Sequence, residues 1–259
     1  MYFLFLVAHV YLATDINAQF TTKWEKSAST SVDVAPTGLK WLLSTGDRAS
    51  SLAYNKATGN LLVAVRGTSA VAPVNPTIVV LNALTGDSIT SLNVTGIPAI
   101  AFGLAHNFQK VRVDDNGVIY ALSLCTASGS NTPPNSAILR VLRWANQTAT
   151  PTECARFNVS ERVGDAFGLS GTGANTILYA SGNATLGTAP NATANIYALT
   201  TSDGLTFNTI NTITLQVGAA AHWGRGAIEP VTNSLTSDIW IKSSSQPARR
   251  ITLAGTAPN

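Results

Sequence analysis

The sequence predicts an all-β fold, and three observations carry the prediction. From about Arg48 onward the chain reads as short alternating or apolar runs parted by Gly, Asn and Asp turns, without the 3.6-residue stripe of a helix. Of its 259 residues 45% are hydrophobic and only 11% charged, against roughly 25% charged in an average soluble domain. The runs also recur with a period. A characteristic strand appears at 61–66 (LLVAVR), 118–124 (VIYALSL), 177–181 (ILYAS) and 239–243 (IWIKS), with starts 57, 59 and 62 residues apart. Four antiparallel strands repeated at that interval are the pattern of a β-propeller of four-stranded blades. A two-sheet sandwich would turn at short, even spacing without the long period.

Taken in order, residues 1–13 are almost wholly apolar, and Ile16-Asn17-Ala18 precedes Gln19. A short apolar core followed by small residues is the secretory pattern, so 1–18 is expected to be a signal peptide and 19–259 a single propeller domain. No Lys or Arg precedes that core and His9 interrupts it, which leaves a second reading: an apolar strand buried at home or donated to a neighbouring subunit. The run is shorter than the roughly 20 residues of a membrane-spanning helix, and no later segment is expected to span.

The repeating units are placed at about 48–95, 101–160, 162–215 and 221–255. Each opens with an inner strand and a polar turn, at 55–60 (NKATGN), 114–117 (DDNG), 171–176 (GTGANT) and 232–238. Third strands follow at 78–83, 138–144, 195–200 and 250–253, and fourth strands at 88–94, 154–159 and 209–215. Gly59, Gly86, Gly117 and Gly204 are expected to supply the positive φ of tight turns. The fourth unit lacks its outer strand. Either 22–27 (TKWEKS), within 19–47, closes the ring by adding it, or the chain is part of a larger propeller.

Charge narrows the function. The chain has 16 Lys+Arg against 13 Asp+Glu, a net +3. The basic residues are scattered, with Arg249-Arg250 the one adjacent pair, so no nucleic-acid surface is expected. Cys125 and Cys154, 29 residues apart, are expected to form one disulfide in an exported protein; the other reading is two buried thiols.

In the order of its phrases the chain resembles an uncharacterised family of secreted bacterial propellers carrying a domain of unknown function. The phrases are Thr21–Glu25, "LAYN", "DDNGVIYAL", "RWAN" and "VGDAFGLSGTGANT", across roughly 18–255. The segment 52–94, with "VVLNALTGDSI", is similar to blades of quinoprotein-like and surface-antigen-like propellers. The resemblance implies export and the propeller fold, and supplies no catalytic residues.

A search for chemistry finds little. His106 and His222 precede the inner strands of the second and fourth units and could meet at the propeller mouth. Ser170 lacks the Gly-x-Ser-x-Gly spacing of a nucleophile elbow. The acidic run Asp114-Asp115-Asn116-Gly117 suits calcium only in part, and an Asn-Gly hairpin explains it without a metal. Glu161 and Asp165, flanking Arg162, could be paired carboxylates of a glycosidase, but nothing in the spacing raises them above a solvated loop. No vicinal Cys pair or regular Trp ladder supports a quinone, and no cofactor or metal is expected. Sequons at Asn93, Asn146, Asn158, Asn183 and Asn191 are candidate glycosylation sites, in about the number chance would supply. Two functions remain. The first is a non-catalytic extracellular or cell-surface scaffold, structural or adhesive, that self-associates into a filament or matrix. The second is a carbohydrate-binding or carbohydrate-active propeller with Trp24, Trp41, Trp144, Trp223 and Trp240 as stacking platforms. Partners are accordingly a second copy, extracellular matrix or glycan.

Overall fold

Asn55 and Asn60 face each other across the first hairpin, between β1 (Ala49–Asn55) and β2 (Asn60–Val65). The Asn55 side-chain oxygen accepts from Ala57 N at 3.0 Å, and Gly59 turns the chain at φ 71°. A side chain that imitates a backbone acceptor, followed by a residue free to adopt positive φ, is why this polar hexapeptide turns where it does. The computed structural model describes residues 23–24, 49–65, 77–97, 108–126, 138–159, 161–181, 192–218, 226–243 and 247–252.

The first sheet continues through β3 (Thr77–Asn82) and β4 (Ser88–Ser91) in sequence order. The second blade holds β5 (Lys110–Val113) and β6 (Ile119–Leu122), and the chain then makes a two-residue strand, β7 (Cys125–Thr126), before β8 (Ile138–Trp144) and β9 (Thr152–Asn158) complete the sheet. A second short strand, β10 (Arg162–Val163), pairs back with β7. The third blade is β11 (Ala166–Ser170), β12 (Ile177–Ser181), β13 (Ala192–Thr200) and β14 (Thr209–Gly218). The fourth is β15 (Gly226–Pro230), β16 (Ile239–Ser243) and β17 (Arg249–Ile251), three strands among the described residues. All pairings are antiparallel, and these are successive blades of an all-β propeller. The four expected turn glycines all take positive φ, between 71° and 84°.

Side chains alternate between the two neighbours of each blade. Leu62 and Ala64 face the second blade and pack with Val111, Ile119, Ala121 and Trp144. Tyr120, Leu122 and Val141 face the third, meeting Phe167, Leu178 and Tyr197. Tyr179, Ile196 and Ala198 face the fourth, against Ile228, Ile239 and Ile241. With both faces covered, a strand such as LLVAV has no polar positions to alternate with, so an unbroken apolar run signals a middle strand. Polar clamps span neighbouring blades about one repeat apart. Ser50 Oγ donates to Phe108 O at 3.1 Å, Asn233 Nδ2 to Asn175 O at 2.8 Å, and Tyr179 OH to Ser234 O at 3.1 Å.

One expectation is corrected. Cys125 and Cys154 are buried thiols not bonded to each other. Although both lie in the core between blades two and three, the Cys125 sulfur turns to Glu161 O at 3.7 Å and the Cys154 sulfur back to Val141 O, in its own sheet, at 3.4 Å. Of the expected ring-closing segment 22–27, Lys23 and Trp24 are described and the rest lies outside the described residues. The Trp24 indole N–H donates to Ala83 O at 2.9 Å on the outer turn of the first blade. There Gly86, lacking a side chain, leaves room for the ring: a Cβ would come within 2.5 Å of it. The leader 1–18 lies outside the described residues.

Candidate functional site

In an antiparallel blade the connection after the second strand leaves from the same face as the connection into the next blade. On that face the β7–β10 pair bridges blades two and three and carries Glu161, Arg162 and Asp165. The frame is tight. Gly164 N and Asp165 N both donate to Ser181 O, at 3.0 and 3.1 Å. Gly164 adopts φ +117°, and a Cβ there would stand 2.4 Å from Ser123 O.

The two carboxylates expected in a solvated loop are both buried, each 8% exposed. Asp165 takes the Arg162 guanidinium in a two-pronged bond, Nε to Oδ2 at 2.6 Å and Nη2 to Oδ1 at 2.7 Å. That bond raises the Arg162 pKa further above its ordinary value, ahead of the opposing effect of burial. Glu161 instead accepts from Tyr197 OH and, at 2.9 Å, from Asn195 Nδ2 through the same oxygen. The Asn195 carbonyl in turn accepts from Thr214 Oγ1 at 2.9 Å. Burial, and then the Glu161 carboxylate, pushes the Tyr197 phenol well above the usual tyrosine range, so it stays a donor at neutral pH.

This arrangement holds the segment that leads into the third blade in place. A glycosidase needs one carboxyl to hold a proton and the other to meet sugar or water. Here Asp165 has both oxygens on Arg162, and Glu161 is directed into its own third blade. The partners Asn195 and Tyr197 gave no local sign in the sequence, because they stand 34 and 36 residues from Glu161. Only the alternation of NIYAL, which sends Asn195 and Tyr197 to one face of β13, hints at the pairing.

Other predicted residues are dispersed. Asp114 Oδ1 accepts from Asn116 N and Val118 N at 3.0 and 2.8 Å, so it caps its hairpin, while Asp115 lies 3.6 Å from Lys56 at the surface. No group of three potential metal-ligating side chains gathers among the described residues. Ser170 donates to Asn233 Oδ1 at 3.0 Å. Trp144 is buried with its N–H on Asn93 O, whereas Trp240 is 48% exposed. The side chains of Asn93, Asn146 and Asn158 are exposed. His9, His106, His222, Trp41, Trp223, Asn183 and Asn191 lie outside the described residues. A cavity of about 300 Å³ opens on the rim between blades two and three, lined by Glu153, Arg156, Phe157, Thr206 and Phe207. No helix among the described residues is long and apolar enough to cross a membrane.

Fold and site together define a β-propeller whose best-placed acids pin the segment that leads into the third blade. No protein-family model matches the chain, and no curated protein matches it. Among solved structures the chain is similar to a DUF4623 family protein from Bacteroides eggerthii, with 16% identity and a TM-score of 0.55 over 80% of this chain and 43% of that one. It also matches the β-propeller domain of Cps50 (Swd1) from Myceliophteria thermophila, with 13% identity and a TM-score of 0.43 over 76% of this chain and 50% of that one. The likeness to the DUF4623 protein is one of fold, and the chain spans less than half of that protein's length.

Proposed function

We propose that the protein is a non-catalytic β-propeller scaffold of the extracellular space or cell surface, structural or adhesive, that associates with copies of itself. One observation carries this reading. Glu161, Asp165, Arg162 and Tyr197, the ionisable groups gathered on the face of the long connections, are each engaged by a protein partner within a rigid frame. Catalytic acids and bases keep an open side for substrate and have pKa values poised near the working pH. Tyr197 is instead pushed away from neutrality, and the Cys154 thiol is pushed up to about 12 by burial. The secretory pattern of 1–18 supports the compartment.

A second reading, a carbohydrate-binding propeller, rests on Trp240, half-exposed with its cross-strand partner Arg250 beside it. A glycan array together with a polysaccharide-hydrolysis screen tests both. The scaffold reading expects no turnover of any substrate. Turnover lost on replacing Glu161 would overturn it. Binding without turnover, lost with Trp240→Ala, would establish the second.

A further inference from the structure

Tyr120 and Tyr179 stand one repeat apart, on the second strands of blades two and three, and both are fully buried. At the seam between blades three and four the Tyr179 hydroxyl donates to Ser234 O at 3.1 Å. At the seam between blades two and three the Tyr120 hydroxyl has no hydrogen-bond partner among the described residues. Its ring lies edge-on against Phe207 of the third blade, with centroids 5.9 Å apart, so packing fixes where the hydroxyl stands.

Three more buried polar atoms without a partner among the described residues surround that hydroxyl: Asp114 Oδ2, Arg143 Nε and Thr176 Oγ1. Strand alternation brings them there. Arg143 lies directly opposite Tyr120 on β8 and shares a face with Leu139 and Val141, which pack against the third blade. Asp114 follows two places after Arg112, the residue opposite Tyr120 on its other side, and so belongs to the same face. From the third blade, Thr176 is extended, at φ −68° and ψ 132°, two residues before Leu178, which packs against the second. Asp114 and Thr176 are 3 and 1% exposed. The other Asp114 oxygen is taken by Asn116 N and Val118 N, which holds Oδ2 in position. Burial raises the Tyr120 pKa, and Thr176, Asp114 and Arg143 then act on it in turn: the groups are neighbours, yet the four atoms stay unbonded.

We infer that this seam binds a single internal water molecule, which accepts from Arg143 Nε–H and the Tyr120 hydroxyl and donates to Asp114 Oδ2 and Thr176 Oγ1. The donor set selects water. A carboxylate only accepts, a guanidinium N–H only donates and a hydroxyl does either, so a molecule with two donors and two acceptors completes all four. Charge points the same way, because a cation would meet Arg143 and an anion would meet Asp114. A buried water makes about three hydrogen bonds and up to four, whereas a polar group left unpaired in a core carries its desolvation cost. The water makes for Tyr120 the link to the next blade that Ser234 makes for Tyr179. It is a feature of the seam alone and holds whether or not the protein is a scaffold.

A crystal structure of the full chain, at a resolution that shows ordered water, tests this directly. The expected result is one water within about 2.7–3.2 Å of at least three of the four atoms. In solution, deuterium relaxation dispersion counts long-lived internal waters. The double variant Tyr120→Phe with Thr176→Val keeps the side-chain shapes and removes both hydroxyls, so the count should fall by one with circular dichroism unchanged. Where that variant does not fold, the native crystal structure decides. An ion at the site, a direct bond between Asp114 and Arg143 with no water beside it, or an unchanged count in the folded variant would each overturn the inference.

Discussion

Tyr197 donates its hydroxyl hydrogen to the Glu161 carboxylate across 36 residues of sequence, joining the third strand of blade three to the segment that leads into that blade. The bond is buried, and Asn195 reinforces it on the same oxygen. Tyr197→Phe removes the donor and leaves the carboxylate under-satisfied, which should cost about 1–3 kcal/mol in denaturant unfolding. The pH dependence has a definite sign. The folded-state pKa of Tyr197 is raised, so the unfolded chain ionises first, near pH 10. The contribution of Tyr197 is therefore complete below that point and is lost as pH rises beyond it. Stability measured from pH 8 to 11 should fall less steeply in Tyr197→Phe than in the native chain.

Gly164 sets the path of the same segment. At φ +117°, with Ser123 O where a Cβ would stand, it admits no side chain without moving the second blade. Gly164→Ala should cost about 2–4 kcal/mol, strain and clash together. Gly59 also has positive φ but open space around it, so Gly59→Ala should cost less, near the lower end of the strain range, about 1 kcal/mol. Thermal melts of the two variants side by side check the order.

The cysteines should behave as buried thiols. With the Cys154 thiol pushed up to about 12, almost no thiolate exists at neutral pH, and the thiolate is the reactive form. Iodoacetamide followed by intact mass should add nothing to the folded chain and two groups in denaturant. Dithiothreitol should leave the melting temperature unchanged; a drop of several degrees would mean that a disulfide had been reduced.

Asn233 holds blades three and four together from the turn side, accepting from Ser170 Oγ at 3.0 Å and donating to Asn175 O at 2.8 Å. Both bonds are exposed, so Asn233→Ala should cost only about 1 kcal/mol in a chemical melt. Its clearer readout is hydrogen exchange. Amides of β15 and β16 should exchange faster while those of the first blade keep their protection.

The strands were legible in the sequence because blade architecture is locally encoded. Ile177–Ser181, Ile239–Ser243 and Ile138–Trp144 fall on the runs read from apolar patterning, and the turn glycines sit at the left-handed positions expected of them. The β7–β10 pair was not legible, since two residues carry no periodicity and their partner lies in another blade. Nor was the site. Glu161 and Asp165 read as a solvated loop until Asn195, Tyr197 and Arg162 were brought to them.

The sequence by itself determined the all-β class and the turn positions, which depend on residues within a few places of one another, and the blade repeat, which is that local pattern recurring every 57–62 residues. The tertiary structure alone decided which carboxylate meets which partner and that the cysteines turn to separate carbonyls. Periodicity fixes which way a side chain leaves its strand, while burial and bonding depend on what the neighbouring blade places opposite, some 55–60 residues away.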